Sequence, residues 1–442
     1  MGRGMPSGER QNSKKSMDNR QLFATALGLA DPWYVESVEL APQELGGPDV
    51  LQIRIDFRKG ATFPCSIDGC SHSCQVHDTV EKTWRHLNFF QYKTFLTARV
   101  PRLKCGDHGV RLAMVPWARP GSGFTLMFEA LAIMMAHSQP MSQVGKILEE
   151  HDTRLWPMIS KYVEKAHAAV DMSEVTVLGM DETSKKGHNY ITVFADIQRK
   201  VTLDVQPGKD ATTVGNFVEV FTEHNGIPNN VQVVTADMSL GFRKGILENF
   251  PKAKTVIDKF HVIKNVNDAV DKVRRAEARE LPDLKRTKYL WLKNPSSLTE
   301  AQSKRLDLLM PKLRNKKTGR AYQMRMQVQH IYETTYTREE AELGFKKLCS
   351  WMMRSRIDEM KKCAQMIRNH FEEILNYWDH RFTNATLEGL NSIIQNIKVR
   401  ARGFRNDQYF ITMILLVTGG LNFDGLFDVA KWRPCADARV TS

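Results

Sequence analysis

Val175-Thr-Val-Leu-Gly-Met-Asp181 and Val231-Gln-Val-Val-Thr-Ala-Asp237 are two short apolar runs, rich in β-branched residues, and each ends in an aspartate. Runs of this kind bounded by polar turns read as strands. Around them Tyr190 to Asp196, Lys200 to Val205 and Thr255 to Ile257 read as further strands, and Thr212 to His224 and Ser239 to Phe250 as helices. The first strand is expected to end at Met180, with Lys185, Lys186 and Gly187 in the loop that follows. The order is strand, strand, strand, helix, strand, helix, strand, which is a mixed α/β sheet. Asp181 and Asp237 then stand at strand C-termini, where such sheets gather their ligands. An unpaired carboxylate there costs several kcal/mol in desolvation, so a cation is its natural counter-charge. Either aspartate alone is weak evidence, because Asp also ends strands as a turn former.

A third carboxylate strengthens the pattern. From Thr386 to Lys398 the spacing predicts an amphipathic helix with Leu387, Leu390, Ile394 and Ile397 on one face and Glu388, Asn391, Ser392 and Gln395 on the other. Such a helix packed on the sheet would present Glu388 to the same cleft. Three carboxylates can hold two Mg²⁺ or Mn²⁺ ions about 4 Å apart, suited to in-line phosphoryl displacement, and hard oxygen ligands favour these ions over zinc.

Outward from this core, about Lys259 to Tyr377 reads as helical, broken at Leu281-Pro282 and at Asn294 to Ser297. On the N-terminal side, Pro120 to Asp171 carries three helical patches. The last two, joined by a brief turn with Ser142 and Thr153 as candidate N-caps, fit a helix-turn-helix or an ordinary helical connector. Arg154 and Lys161 would be among the polar residues facing DNA. Before that, Trp33 to Pro116 alternates in the manner of a small β-rich domain. Its Trp84 to Tyr92 stretch reads as a hairpin strand in which Arg85 or the nearby Lys93 could touch phosphate.

Cysteine usage is uneven. Of the chain's 7 cysteines, Cys65, Cys70, Cys74 and Cys105 fall within one stretch, which suits a local metal site in a reducing compartment better than a disulfide framework. Cys65-x4-Cys70 and Cys105-Gly-Asp-His108 supply two ligand pairs for a closed structural Zn²⁺ site. Cys74 could replace Cys70, and Cys74-x2-His77 is a rival pair.

The whole chain has 442 residues, 42% of them hydrophobic, and a formal charge of +13. At about 100 to 200 residues per domain it holds two to four domains, and its composition excludes disorder throughout. Its longest apolar runs, Leu131 to Ala136 and Ile411 to Thr418, fall far short of the roughly 20 residues that span a bilayer. No partnership with a membrane is expected. Lys264 to His330 contains 17 basic and 7 acidic residues, whereas Ile331 to His380 contains 8 and 9. The surplus is concentrated in one block, read either as a solvated helical face or as a polyanion-binding one.

The strand order, the Asp181, Asp237 and Glu388 set, and the segments Glu388-Gly-Leu-Asn391 and Ile397-Lys-Val-Arg-Ala-Arg-Gly-Phe-Arg-Asn406 together resemble bacterial insertion-sequence DDE transposases of the ISL-three type. The resemblance covers about residues 60 to 425. It implies an RNase H-like core interrupted by an all-helical insertion between the second Asp and the Glu, and here 150 residues separate Asp237 from Glu388. It also implies an acidic residue or Cys shortly before a His after the second Asp, matched by Asp258-Lys-Phe-His261, with both in support of the active site. An N-cap and a core histidine is the ordinary alternative for that pair. A zinc-binding segment at the start is implied too, although Cys65-x4-Cys70 departs from the family's Cys-x2-Cys.

The expected architecture is α/β and multidomain. It comprises a flexible arm (1–20), a zinc-binding β-rich DNA-binding domain (21–118) and a helix-turn-helix domain (119–172). The RNase H-like mixed-sheet catalytic core (173–260 and 381–425) is interrupted by an all-α insertion (261–380), and a tail (426–442) follows. The resemblance implies binding to the element's terminal inverted repeats and to target DNA, with metal-dependent phosphodiester hydrolysis followed by strand transfer. Both steps suit a pair of hard cations with water and then a DNA hydroxyl as nucleophile. Lys398, Arg400, Arg402 and Arg405, just beyond the catalytic helix, would contact DNA phosphates. Two ends must meet, so a homodimer or higher assembly on DNA is expected, in the bacterial cytoplasm at the nucleoid. The competing readings are a transposase-derived DNA-binding regulator without catalysis and an RNase H-like structure-specific nuclease.

Overall fold

A computed structural model of the chain describes residues 18–42, 48–186, 189–380 and 385–423. Most of the expected arm and all of the expected tail therefore lie outside the described residues, as do Gly187 and the side chain of Lys186. The chain divides into two compact units, with the boundary in the N-terminal part between Tyr162 and Val163 and the second unit running to Leu421.

The first unit begins with α1 (Asn19–Ala26), followed by β1 (Trp33–Ala41), β2 (Val50–Phe57), β3 (Thr62–Pro64), β4 (Ser73–Phe89), β5 (Tyr92–Cys105) and β6 (Gly109–Leu112). The strands form one sheet in the order β1-β2-β5-β4-β3, with β6 pairing the end of β5. Alternation sets the faces: Leu96, Ala98 and Val100 of β5 are all buried. Their core is aromatic, with Trp117 packed edge-on against Trp33 and Trp84 at ring separations of 5.0 and 5.6 Å.

Three helices follow, α2 (Leu126–Ser138), α3 (Met141–Leu148) and α4 (Asp152–Ala168), the last crossing the unit boundary. The α3–α4 turn is tight. Glu149 takes a left-handed φ of 52°, and a Cβ on Gly145 would lie 2.7 Å from the carbonyl oxygen of Glu150, so only glycine fits there. The caps differ from expectation. Pro140, whose ring presets φ, starts α3 at Met141 and leaves Ser142 inside the first turn. The Thr153 amide donates to His151 Nδ1 at 3.3 Å, because α4 begins at Asp152 and leaves Thr153 within it.

Arg85 is also a correction. It is 1% exposed and donates to the carbonyls of Thr94 and Leu148, so it braces the hairpin and is closed to phosphate. Lys93 pairs with Glu149 at 3.2 Å.

The second unit is built on a sheet of β7 (Val177–Lys186), β8 (Asn189–Asp196), β9 (Val201–Pro207), β10 (Val233–Ala236) and β11 (Lys254–Ile257). The order is β11-β10-β7-β8-β9; β7, β8 and β9 are antiparallel neighbours, while β10 runs parallel to β7 and β11. All four residues of β10 are buried, as a central parallel strand requires. Helices α5 (Ala211–Glu223) and α6 (Leu240–Asn249) cover the face carrying Leu178, Met180 and Phe194. The strand β7 continues well past Met180, pairing Asp181 with Val193 and Thr183 with Ile191, so Asp181 lies inside it. Polar residues extend the strand because hairpin pairing to β8, not core burial, sustains its second half.

Beyond β11 the described residues hold only helices until the sheet is rejoined. These are α7 (Lys259–Glu277), α8 (Lys288–Leu292), α9 (Glu300–Leu313), α10 (Lys317–Thr334), α11 (Arg338–Arg354), α12 (Asp358–Asn369) and α13 (Phe371–His380). Short 3₁₀ turns at Pro282–Leu284 and Pro295–Ser297 stand at the breaks expected from proline. Their core continues into the second face of the sheet, where Val177, Ile197 and Val233 meet Val262 and Leu387. At the sheet edge, Asn376 of α13 donates to the carbonyl of Thr255 at 2.8 Å. The chain closes with α14 (Ala385–Arg400) and α15 (Asp407–Thr418). The basic block is not all surface: Arg325 is 2% exposed and bonds Asn267, Gln329 and the Leu292 carbonyl.

In the first unit Glu129 of α2 is fully buried and accepts from Arg119, Ser122 (2.6 Å) and Tyr162 (2.6 Å). Burial and this carboxylate together push the Tyr162 hydroxyl pKa up. Replacing Glu129 by Ala is expected to lower stability by about 2 to 4 kcal/mol, short of the loss for a wholly buried pair because Arg119 keeps some contact with water. Urea unfolding followed by tryptophan fluorescence measures it.

Candidate active site and metal-ligand cluster

Register decides where the carboxylates stand. Thr235 of β10 pairs with Gly179 of β7, and Ala236 pairs with Ile257 of β11. Carrying the parallel register onward sets Asp237 level with Asp181 on one side and with Asp258 on the other. Asp237 turns back so that its Oδ1 accepts from the Ser239 amide at 2.8 Å. Asp258, 3% exposed, occupies the N-cap position of α7 without capping it by its side chain.

Asp181 is held at both oxygens. Its Oδ1 accepts from the Glu182 amide at 2.9 Å, and its Oδ2 from Asn391 Nδ2 at 2.7 Å. Burial raises its pKa, the Asp237 and Glu182 carboxylates push the same way, and His261 opposes them. Glu182 points to the opposite face and pairs with Lys209 at 3.5 Å.

Glu388 lies on the first turn of α14 and is exposed. Its pKa is also raised, by partial burial and then by Asp258, against His261 and Lys259. His261 thus acts electrostatically on both Asp181 and Glu388, and its buried Nδ1 has no hydrogen-bond partner among the described residues. The three carboxylates do not form a compact ligand set: among the described residues, groups of three or more ligand atoms within 4.8 Å of one another occur only in the first unit.

A cavity of about 390 Å³ opens beside Asp237 and Ser239, lined from α7 by His261, Lys264, Asn265 and Asp268. These α7 residues recur at i, i+3, i+4 and i+7, one polar helical face. The spacing was visible in the sequence, but only His261 stands out without knowing which way the helix lies. Lys398 donates to the Ser184 carbonyl at 2.6 Å, while Arg400, Arg402 and Arg405 are exposed. In the first unit Lys161 is exposed, and Arg154 pairs with Glu150 and lies 4.6 Å over the Phe124 ring.

The seating of α14 depends on one residue of β7. A Cβ on Gly179 would lie 2.9 Å from Leu387 Cδ1 and closer still to Ile197, so the close seat of both side chains on the strand uses the space glycine leaves. Alternate residues Gly179, Asp181 and Thr183 share that face.

In the first unit the ligand atoms of Cys65, Cys70, Cys105 and His108 all lie within 4.8 Å of one another. Cys105 Sγ is 3.5 Å from His108 Nδ1, and Cys70 Sγ is 3.9 Å from Cys105 Sγ, with the thiols unbridged. Hydrogen bonding to His72, then to the backbone and ring of His108, brings the Cys105 thiol down to about 5. Cys74 stands outside this cluster; it donates to the His72 carbonyl, and burial pushes its thiol up to about 11. His77 instead approaches Asp78 at 3.3 Å. A second group at the same limit joins Cys70 to His72 and Asp107, neither of which the cysteine spacing pointed to.

Comparison with known proteins assigns these two regions. A zinc-finger profile of the IS204/IS1001/IS1096/IS1165 transposases matches residues 61–108, and a helix-turn-helix profile of transposase family ISL3 matches residues 113–163. The ISL3 DDE transposase profile matches residues 178–414, more than half of the chain. The chain belongs to the ISL3 family of DDE transposases. It is 26% identical over 436 residues to the transposase for insertion sequence element IS1557 of Mycobacterium tuberculosis, covering 91% of this chain and 96% of that one. It is 28% identical over 362 residues to the transposase for IS1001 of Bordetella parapertussis, covering 78% and 86%. As a transposase it cuts DNA and transfers strands, and its helix-turn-helix implies that it binds DNA.

Replacing Gly179 by Val crowds Ile197 and Leu387 and is expected to lower stability by about 1 to 3 kcal/mol through overpacking. Equilibrium denaturation of the whole chain reads the loss.

Proposed function

We propose that Asp181, Asp237 and Glu388 hold a pair of Mg²⁺ or Mn²⁺ ions in an RNase H-like core interrupted by an all-α insertion. The observation that carries this reading is the register of β10, which sets Asp237 beside Asp181 under the helix bearing Glu388. The donors suit such ions: all are carboxylate oxygens, and burial and mutual repulsion raise the pKa of Asp181. When bound, the ion pair activates the attacking oxygen and offsets charge on the leaving one.

The chain's own residues do the rest. Asp258 and His261 support the carboxylates from β11 and α7. Lys264 and Asn265 line the cavity beside Asp237 and offer donors to a phosphodiester. No covalent intermediate is required, since water serves as nucleophile for hydrolysis and the freed 3′ hydroxyl serves for strand transfer. Arg154 and Lys161 of the helix-turn-helix bind the terminal inverted repeats, while Arg400, Arg402 and Arg405, with the remaining donors of Lys398, hold backbone phosphates of the repeats and target DNA. Two ends joined in one reaction call for a homodimer or larger assembly on DNA. A chain working on genomic DNA acts in the bacterial cytoplasm, at the nucleoid. Among the described residues no helix is long and apolar enough to cross a membrane.

The Cys65, Cys70, Cys105 and His108 cluster suits a structural Zn²⁺: three thiols and one imidazole complete a tetrahedron. Stripping zinc with a strong chelator, or replacing Cys105 by Ser, is expected to remove about one zinc per chain by atomic absorption and to unfold the segment around the cluster.

The catalytic reading is tested on DNA carrying the element's ends. Asp181→Ala, Asp237→Ala and Glu388→Ala are each expected to lower strand transfer at least about a thousandfold, equivalent to roughly 4 kcal/mol of transition-state stabilisation. Binding to the ends should persist. Full transfer by these variants would remove the three carboxylates from catalysis. End binding without transfer by the wild type and the variants alike would point to a non-catalytic regulator, and cleavage of branched DNA of any sequence without joining would point to a nuclease.

A further inference from the structure

Asn391 ties α14 to β7 through two polar contacts. Its Nδ2 donates to Asp181 Oδ2 at 2.7 Å, and its Oδ1 accepts from the Thr183 hydroxyl at 2.9 Å. Chemistry settles which way the amide points. A carboxylate only accepts, so it must face the NH₂ group; the carbonyl is then left toward Thr183, whose hydroxyl proton satisfies it. Thr183 is 4% exposed, with little access to water as an alternative partner. Asp181 and Thr183 share one face of β7, and Asn391 fits between them.

We propose that Asn391 is a positioning residue for the Asp181 carboxylate, with Thr183 locking its amide in the orientation that does this. The inference rests on the proposed metal-binding role of Asp181. With Oδ1 held by the Glu182 amide and Oδ2 by Asn391, the plane of the carboxylate is set, and each oxygen keeps a lone pair for a cation. Without Asn391, repulsion from Asp237 and Glu182 would rotate the group. Asn391 also follows Glu388 by three residues on α14, so the same contact fixes the rotation of the helix that presents Glu388. One amide therefore sets two of the three acidic groups.

The test is Mn²⁺ binding to the full-length protein without DNA, measured by calorimetry alongside unfolding midpoints. Asn391→Ala is expected to weaken Mn²⁺ binding by about 10- to 100-fold, the usual effect of removing a partner that orients a ligand. Thr183→Val should weaken it in the same direction and Thr183→Ser should restore it, a pattern that general loosening of the fold does not produce. Should Asn391→Ala unfold, the Thr183 pair decides alone: equal weakening by Val and Ser overturns the proposal. Wild-type affinity in Asn391→Ala also overturns it. Asp181→Ala separates the two levels. If it abolishes binding while Asn391→Ala does not, only the positioning role falls; if it binds Mn²⁺ as the wild type does, the metal reading of Asp181 falls and takes this inference with it.

Discussion

Everything in the second unit is arranged around the burial of β10 between two parallel neighbours. Its four residues are apolar or hydroxyl-bearing and fully enclosed, so the strand cannot slip by one position without turning polar groups into the core. That restriction is what aligns the acidic residues after it. Asp237 has to stand level with Asp181 and Asp258 because the pairing on both sides is fixed. Like charges gathered at one end of a sheet are electrostatically costly; His261 and the amide of Asn391 offset the charge of Asp181, and His261 and Lys259 that of Glu388. The site thus concentrates negative charge in a place where the fold leaves it no freedom to disperse.

The helix α14 depends on the same sheet from the other side. It approaches β7 over Gly179, places Leu387 in the core, and reaches the polar half of the strand with Asn391 and Lys398. An apolar face alone would let such a helix roll. The hydrogen bonds to Asp181, Thr183 and the Ser184 carbonyl remove that freedom, so packing supplies adhesion and polar contacts supply angle.

Much of this was legible from local pattern. Val231 to Ala236 reads as a buried strand because its apolar run is short and β-branched, and α14 reads as amphipathic because Leu387, Leu390, Ile394 and Ile397 recur at helical spacing. What escaped depends on partners distant in the chain. The second half of β7 looks like a polar loop until β8 is there to pair with it. Arg85 looks like a phosphate contact until the Thr94 and Leu148 carbonyls are brought to it. Ser142 and Thr153 are good caps by type, but the helices begin ahead of them, at Met141 after Pro140 and at Asp152 after His151. Lys264, Asn265 and Asp268 carry no signature apart from the cavity they face, and Thr183 none apart from Asn391. The basic block from Lys264 to His330 reads as surface charge, yet Arg325 is spent inside, on Asn267 and the carbonyl of Leu292.

The contact between Asn376 and Thr255 bears on how this architecture can change. The helical stretch departs from the end of β11 and returns against the same strand, with α13 bonded to its outer edge. Departure and return points are thus neighbours, and the otherwise open rim of the sheet is sealed against pairing with another chain. Because the two points meet at one place, chain between them can lengthen or shorten at little entropic expense. The pairing of β10 and β11 is then untouched by such changes, and only helix faces outside the core shared with Leu387 and Leu390 are free to vary.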